Sequence, residues 1–234
     1  MQRPPARRVT VQKPRPSPVS LLWRDRRVTA AALVVVVLLV WLLWPSPYGR
    51  VANLGSRGTN LIAFGDSLTA GYGAQAGEDW PSRLSSIIGQ PVINAGVSGD
   101  TTEMALARID DDVLARDPRI VIVGLGGNDF LRSVGIETTE ANLRTIVHRI
   151  QARGAMVVLL GFQFPSLNSD YGAMYERIAK EERCLLIAGV LAGILRDESL
   201  KSDVIHPNAR GYAIMAERIA GPMKKLIARA NRAR

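Results

Sequence analysis

The sequence predicts a doubly wound (flavodoxin-like), three-layer α/β/α sandwich built on a five-stranded parallel sheet. Five short apolar runs recur between residues 59 and 221, and they are continuous rather than alternating, as in strands that are buried on both faces. Amphipathic helical patterns separate these runs. An alternation of strand and helix along a chain produces a parallel sheet with helices on both of its faces.

Ahead of this domain, an apolar segment predicts one N-terminal transmembrane helix over residues 28–44. The segment, VTAAALVVVVLLVWLLW, contains 17 residues and no charge, and a helix of that length spans roughly 25 Å, close to the thickness of a bilayer core. Trp41 and Trp44 lie at its far end, where indole rings favour the membrane interface. We therefore expect an uncleaved signal anchor, with a cleaved signal peptide as the alternative.

The flanking segments predict how the chain is oriented. Residues 1–27 carry eight Lys or Arg against one acidic residue, together with five prolines, which is typical of a disordered tail that stays in the cytoplasm. Residues 45–58 are rich in Pro, Ser, Gly and Asn and indicate a linker. The domain over 59–221 would then be periplasmic or extracellular, and the basic residues 222–234 would form a tail or a helix end.

The distribution of charge argues against a nucleic-acid partner. The whole chain has a net charge of +9, but residues 45–221 hold 17 basic and 20 acidic residues, so the body of the protein is slightly acidic. The chain has one cysteine, Cys184, and two histidines, which allow no internal disulfide and make a poor zinc site. We expect no metal and no cofactor.

The elements of the domain can be assigned in order. The five strand candidates are LIAF, PVINAGV, RIVIVGLG, AMVVLLG and CLLIAG. Helical spacing of apolar residues is found at 106–113 and again at 143–150. Asp100, with Glu103 three residues later, resembles a capping box at the start of the first of these helices.

Polar and glycine residues follow the strand candidates, at the carboxyl ends of the strands, where ligands bind in this architecture. Each has a structural explanation of its own, such as a helix cap or a turn. Together they fit ester hydrolysis, with Ser67 as nucleophile, His206 as base, and Asp203 as the group that fixes the imidazole tautomer. The backbone N–H groups of Ser67 and Gly99 and the side-chain amide of Asn128 could stabilise the oxyanion.

These residues also carry a resemblance to a known family. The blocks GDSL, SGD, GGND and DVIHP, in that order, resemble the four signature blocks of the SGNH (GDSL) hydrolases over roughly residues 58–221. The stretches GDSLTAGYGA, WPSRL, NAGVSGDTT and LGGND are most similar to the bacterial branch of acyl-CoA thioesterases, lysophospholipases and arylesterases. The resemblance implies the same roles: Ser67, Asp203 and His206 as the triad, and Gly99 and Asn128 as oxyanion donors.

Two departures from the family pattern concern the substrate rather than the catalytic atoms. Val204 replaces the small residue that usually follows the catalytic aspartate, and the segment after Tyr171-Gly172 looks shorter than in the typical thioesterase. The acyl pocket could be lined by four residues of FQFPSLNSDYG, although packing under a loop is equally consistent with their types. These four residues are Phe162, Phe164, Pro165 and Leu167.

The sequence therefore predicts a membrane-anchored serine esterase that hydrolyses acyl esters or thioesters, of lipid or aryl type. An acyl-CoA substrate fits poorly outside the cytoplasm. One alternative is an O-deacetylase of envelope polysaccharide with the same fold. Another is a membrane-tethered binding module that has lost catalysis.

Overall fold

The computed structural model describes residues 28–37, 47–162 and 169–234. The chain divides into two compact units, which are residues 1–45 and 46–234.

In the first unit, residues 28–37 form helix α1, whose apolar side chains are exposed. Nowhere in the described ranges does a helix combine the length and the apolar character needed to cross a membrane. Residues 38–44 of the predicted anchor and the predicted tail over 1–27 lie outside the described residues. The transmembrane anchor is not confirmed and stays a prediction.

The second unit is built on a five-stranded parallel sheet with the strand order β2-β1-β3-β4-β5. The strands are β1 (Asn60–Gly65), β2 (Val92–Gly96), β3 (Pro118–Gly124), β4 (Met156–Gly161) and β5 (Leu185–Ala188). This order is the flavodoxin-like one, which confirms the predicted sheet. The order reverses between β1 and β3, so a crevice opens at the carboxyl ends of these two strands.

The three central strands match the expected burial and the two edge strands do not. Every residue of β3 and β4 is buried, whereas in β2 only Ala95 is buried. Strand β5 alternates between buried and more accessible residues. The expectation that all five strands are buried on both faces is wrong at the edges, because an edge strand has a neighbour on one side only.

Besides α1, the described part of the chain contains seven α-helices. They are α2 (Ser67–Ala70), α3 (Trp80–Ile88), α4 (Thr102–Asp112), α5 (Gly127–Leu131), α6 (Ile136–Ala152), α7 (Ser169–Glu181) and α8 (Ala209–Arg232). Helix α3 packs against α8, while α6 packs against both α4 and α7. The helical spacing at 106–113 and 143–150 falls in α4 and α6, and it turns Ile109 and Leu143 into the core.

The predicted capping box at the start of α4 is wrong. Thr101, not Asp100, is the N-cap, and its side chain accepts a hydrogen bond from the Met104 N–H at 3.3 Å. The Asp100 carboxylate instead accepts a hydrogen bond from Arg108 Nε at 2.6 Å. A hydrogen bond between two charged groups is stronger than one from a neutral amide, so the Asp100 carboxylate binds the guanidinium rather than the N–H groups at the start of α4.

The structure also differs from the predicted linker over 45–58. Val51 is 2% exposed and belongs to the core, and the Ala52 N–H donates to the Arg183 carbonyl at 2.9 Å. The Asn53 amide donates to the Ala155 carbonyl at 3.0 Å. The described part of this segment therefore packs on the domain, and the packed structure begins before the predicted boundary at 59.

The C-terminal residues continue the last helix. Helix α8 runs through Pro222 to Arg232, and Leu226 and Ala230 on it are buried. The basic segment 222–234 was predicted to be either a tail or a helix end. The structure shows a helix end, with basic side chains in the last turns of α8. Positive charge there is favourable, because a helix carries partial negative charge at its C-terminus.

Candidate active site

Ser67 lies at the carboxyl end of β1, where it is the first residue of α2. Asp66 is the N-cap of this helix, and its side chain accepts a hydrogen bond from the Leu68 N–H at 3.0 Å. Gly71 ends the helix after one turn with a φ of +88°, a conformation that glycine adopts without strain. A helix cap was one structural explanation open to Ser67, but the cap is Asp66, and Ser67 lines the crevice instead.

Gly65 allows this short helix to sit against the sheet. A Cβ atom at Gly65 would lie 2.2 Å from Thr69 Oγ1 and 2.5 Å from the Gly124 carbonyl oxygen. No side chain fits in that space, so the glycine before Asp66 is required by the close approach of α2 to the ends of β1 and β3.

Asp203 and His206 share one tight turn ahead of α8. The Ser202 N–H donates to the His206 carbonyl at 2.9 Å and closes the turn. Asp203 Oδ1 accepts hydrogen bonds from the N–H groups of Ile205 at 2.9 Å and His206 at 2.8 Å. The three-residue spacing therefore brings the carboxylate beside the imidazole within a single turn.

The structure brings the three predicted triad residues together. His206 Nε2 lies 2.9 Å from Ser67 Oγ, and His206 Nδ1 lies 2.8 Å from Asp203 Oδ2. With Nδ1 protonated and donating to the carboxylate, Nε2 is left to accept the Ser67 proton. This is the arrangement that activates a serine hydroxyl as a nucleophile.

The electrostatics of Asp203 suit its position. Partial burial disfavours its ionised form, but the hydrogen bonds from the His206 ring and from the N–H groups of Ile205 and His206 outweigh burial and lower the pKa of the carboxyl. The group therefore stays ionised beside the imidazole. An ionised carboxylate in this position can stabilise a positive charge on the imidazole.

Two of the predicted oxyanion donors are backbone N–H groups, those of Ser67 and Gly99. Within the described residues, neither of these N–H groups donates a hydrogen bond. Gly99 has a φ of +88°, and its carbonyl accepts a hydrogen bond from Arg132 Nη2 at 2.8 Å. Both donors remain available to an incoming oxygen.

The third predicted donor, the Asn128 side chain, lies on α5 just after β3. Its Nδ2 donates to the Asp100 carbonyl at 2.9 Å and lies 3.4 Å from Asp66 Oδ2. The first bond orients the amide. The second is long and weak, so a substrate oxygen could replace it.

Asp66 carries an unusual charge state for a carboxyl beside a nucleophile. The Asp66 side chain is buried, and burial raises its pKa to about 7, with a smaller contribution from the negative charges of Asp100 and Asp129. Hydrogen bonds from the Leu68 and Asp66 N–H groups lower the pKa but do not offset the effect of burial. Near neutral pH the group is therefore divided between its neutral and ionised forms.

A pocket opens where these elements meet. It is lined by Asp66, Ser67, Leu68, Gly127, Asn128, Leu131, Ile205 and His206. The Tyr72 ring stands beside the imidazole, with a distance of 4.5 Å between the centroids of the two rings. Within the described ranges, no group of three or more His, Cys, Asp or Glu side chains could hold a metal ion.

The predicted acyl-pocket residues are not tested by this geometry. Phe164, Pro165 and Leu167 lie outside the described residues. Phe162 is described, and it is buried in the core, with its Cζ 3.5 Å from where a Cβ of Gly124 would stand. Its position favours the packing alternative, and a contact between these four residues and substrate stays a prediction.

Sequence reasoning missed several residues of the site. Asp66 and Tyr72 stand in the same FGDSLTAGYG stretch as the serine, and Ile205 stands between the two triad residues. Their proximity in sequence was the available signal. Leu131 had no comparable signal, because only the short helix α5 turns its side chain towards the pocket.

Comparison with known proteins adds an independent finding. The model of the GDSL-like lipase/acylhydrolase family matches residues 63–214. The chain is 33% identical over 195 residues to thioesterase 1/protease 1/lysophospholipase L1 of Escherichia coli strain K12, an alignment that covers 79% of this chain and 94% of that protein. It is 28% identical over 153 residues to the acetylxylan esterase of Geobacillus stearothermophilus, which covers 55% of this chain and 70% of that one.

The fold is similar to solved structures as well. The psychrotrophic esterase EstA from Pseudoalteromonas sp., in a crystal structure inhibited by monoethylphosphonate, superposes with a TM-score of 0.66 and 27% identity. The alignment covers 72% of this chain and 98% of that one.

Proposed function

Because the chain belongs to the GDSL-like lipase/acylhydrolase family and is a serine hydrolase, we propose that it cleaves acyl esters or thioesters through a covalent acyl-enzyme formed on Ser67. The observation that carries this proposal is the chain of hydrogen bonds from Ser67 Oγ through His206 to Asp203. A serine in a structural role needs no base hydrogen-bonded to its hydroxyl.

In the first half of the reaction, Ser67 Oγ attacks the carbonyl carbon while its proton passes to His206 Nε2. The carbonyl oxygen becomes an oxyanion that the N–H groups of Ser67 and Gly99 and the Asn128 amide stabilise. The carbon–oxygen or carbon–sulfur bond to the leaving group then breaks. The departing alcohol or thiol takes the proton from His206, and the acyl group remains as an ester of Ser67.

In the second half, water takes the place of the leaving group. His206 Nε2 accepts a proton from the water as its oxygen attacks the acyl carbon. When the intermediate collapses, the bond to Ser67 Oγ breaks and His206 returns the proton to that oxygen. Asp203 stays ionised throughout and stabilises the imidazolium ion in each half.

The lining of the pocket supports an apolar acyl group as the substrate. Leu68, Leu131 and Ile205 contribute apolar walls beside Ser67. Leu131 is 52% exposed and Val204, next to Ile205, is 81% exposed. Large apolar side chains left in solvent around a pocket are typical of a binding site for an apolar ligand.

We further propose that residues 28–44 anchor the protein as a single-pass membrane protein, with the basic N-terminus in the cytoplasm and the hydrolase domain periplasmic or extracellular. The uncharged sequence of that segment and the positive charges before it support this topology. It would place the site near lipid acyl esters such as lysophospholipids and away from cytoplasmic acyl-CoA.

The second candidate function is O-deacetylation of an envelope polysaccharide. It is favoured by one observation, the similarity of this chain to the acetylxylan esterase of Geobacillus stearothermophilus. The two candidates differ in the acyl group, because a deacetylase needs room for two carbons only.

Hydrolysis of p-nitrophenyl esters from acetyl to palmitoyl tests the proposal and separates these candidates. We expect turnover to depend on Ser67 and to be fastest with medium or long chains. Ser67→Ala should abolish it, whereas Ser86→Ala, which removes an exposed hydroxyl on α3 that donates to the Ser82 carbonyl, should leave it unchanged. Equal rates for the wild type and Ser67→Ala would exclude the acyl-enzyme and favour a binding module, and a maximum at acetyl would favour the deacetylase.

A further inference from the structure

Arg108 on α4 makes an unusually complete set of contacts behind the active site. Its Nε donates to Asp100 Oδ2 at 2.6 Å, and its Nη1 donates to the Ala95 carbonyl at 3.0 Å and to Asp112 Oδ2 at 2.7 Å. Its Nη2 donates to the Gly65 carbonyl at 3.0 Å. The side chain is 18% exposed, so these are bonds in a largely desolvated place.

These contacts join two backbone carbonyls, of Gly65 and Ala95, and the Asp100 carboxylate. Gly65 ends β1 two residues before Ser67, and Ala95 lies in β2 shortly before the turn that carries Gly99. Asp100 is the residue directly after Gly99. The guanidinium therefore ties the end of the nucleophile's strand to both ends of the loop that holds the second oxyanion donor.

Asp100 extends this connection to the third donor. While its carboxylate is held by Arg108 Nε, its carbonyl accepts the hydrogen bond from Asn128 Nδ2 at 2.9 Å. A shift of the Asp100 backbone would therefore move the Asn128 amide as well as the neighbouring Gly99 N–H. Arg108 is thus connected, through the Gly65 carbonyl and Asp100, to the segments that carry all three predicted oxyanion donors.

The contacts at this position suit arginine better than lysine. The Cζ atom lies 4.5 Å from the centroid of the buried Phe64 ring, which holds the plane of the guanidinium over β1. The planar group then directs its N–H bonds outward to acceptors on separate segments, whereas a lysine ammonium is compact and has no fixed plane.

We propose that Arg108 is a positioning residue for the oxyanion hole, which holds the donors of Ser67, Gly99 and Asn128 in one arrangement through the Gly65 carbonyl and Asp100. It touches none of the reacting atoms. The inference rests on the proposed function, because the donors have a task only if an oxyanion forms.

The test compares Arg108→Gln and Arg108→Lys with Arg116→Gln as the matched control. Arg116 also pairs with Asp112, at 2.9 Å, but its side chain is 39% exposed, and its Nε donates to the Asp111 carbonyl rather than to a strand. Active sites are first counted from the p-nitrophenol released when diethyl p-nitrophenyl phosphate reacts with the serine. The rate of p-nitrophenyl ester hydrolysis is then expressed per counted site.

We expect kcat per counted site to fall about 10- to 100-fold in Arg108→Gln, with KM changed less than about threefold, because loss of one oxyanion donor costs about 10²–10³ in kcat. Arg108→Lys should recover little of the loss, and Arg116→Gln should match the wild type. A purely structural role would lower the number of active sites and leave kcat per site unchanged. That result would overturn the proposal. If Arg108→Gln folds poorly, Arg108→Lys, which retains the positive charge, serves for the same comparison.

A second measurement does not depend on turnover. In ¹H–¹⁵N spectra of the full chain, the Gly99 amide and the Asn128 side-chain amide should shift in both Arg108 variants and stay in place in Arg116→Gln. Unchanged signals in the Arg108 variants would overturn the positioning role even if the enzyme were inactive. Equal turnover by the wild type and Ser67→Ala, by contrast, would overturn the proposed function on which the inference rests, whatever the amide signals show.

Discussion

The Asp203 carboxylate holds its own turn together and orients His206 at the same time. Oδ1 accepts the N–H groups of Ile205 and His206, and both oxygens lie within 3.0 Å of His206 Nδ1. An asparagine could still accept the backbone bonds through its oxygen. Its NH₂ group, however, would face the imidazole as a donor and favour the tautomer that leaves Nε2 protonated.

Asp203→Asn should therefore fold normally and lose activity. We expect kcat to fall about 10³-fold or more, because a protonated Nε2 cannot accept the Ser67 proton, while the thermal midpoint of unfolding changes by less than about 2 °C. Asp197→Asn is the matched control, since Asp197 also accepts a backbone N–H two residues on, from Ser199, away from the site. Asp203→Asn turnover within tenfold of the wild type would contradict the triad.

The buried Asp66 carboxyl makes the stability of the protein depend on pH. Its native pKa of about 7 lies above its ordinary value, so between about pH 4 and pH 7 the native state holds a proton that the unfolded chain has released. The stabilisation from this proton is complete below about pH 4 and is lost as the pH rises through 7. Ionisation at neutral pH thus weakens the fold beside the nucleophile.

Asp66→Asn should remove this dependence, because an amide does not ionise and its oxygen can still accept the Leu68 N–H. We expect the thermal midpoint of the variant, relative to the wild type, to increase from about pH 4 to about pH 7 and to level off above that. Differential scanning calorimetry at a series of pH values measures the difference. Parallel curves for the two proteins would show that burial of this carboxyl has no consequence for folding.

At the scale of elements, the start of α5 controls where Asn128 stands. Gly126 caps this helix with a φ of +110°, and a Cβ there would lie 2.5 Å from Tyr175 Oη. That hydroxyl is itself fixed, because it donates to the Leu125 carbonyl at 2.6 Å. The junction of β3 and α5 therefore has no room for a side chain.

Gly126→Ala should cost more stability than the backbone conformation alone explains. Gly154, at the end of α6, also has a positive φ, of +80°, but nothing lies within 4 Å of its Cβ position. Both alanine variants share the cost of positive φ, and the clash should add about 1–3 kcal/mol in Gly126→Ala only. Urea unfolding of the two variants measures the difference, and equal losses would mean that Tyr175 moves aside freely.

The sequence predicts the strands well and their connections less well, for a physical reason. The run LIAF falls inside β1, since continuous apolar stretches mark buried strands locally. The predicted cap of α4 is wrong because Asp100 is drawn away by Arg108, which also contacts Gly65 far along the chain. Residues 47–58 have the composition of a linker, and only contacts with distant residues such as Arg183 show that they are packed.

The same limit applies to the candidate site. Ser67, Asp203 and His206 were predictable because short motifs and the strand-end rule both identify them. Leu131 and Arg108 were missed, since each belongs to the site through a contact between elements, such as the bond from Arg108 to the Gly65 carbonyl. Individual residues that supply chemistry have a local signal, and residues that shape or hold a site depend on the tertiary structure.

At the scale of the whole molecule, charge and apolar character are divided along the chain. Residues 45–221 have a small negative net charge, while residues 1–27 are strongly basic and are followed by the uncharged segment 28–44. This order is the one that retains an N-terminus in the cytoplasm and exports the domain on the other side of the apolar segment. The anchor proposed for this segment should therefore decide both the place and the orientation of the enzyme.

The full chain expressed in bacteria should stay in the membrane pellet after washing with alkaline carbonate, whereas a chain that starts at residue 47 should be soluble. An apolar helix of this length is held by burial of its side chains in the bilayer, and a carbonate wash removes only peripheral proteins. β-Lactamase fused after Arg234 should confer ampicillin resistance, because the enzyme acts outside the cytoplasm. A soluble product shortened at its N-terminus would establish the cleaved signal peptide instead, and a membrane-bound fusion without resistance would reverse the proposed orientation.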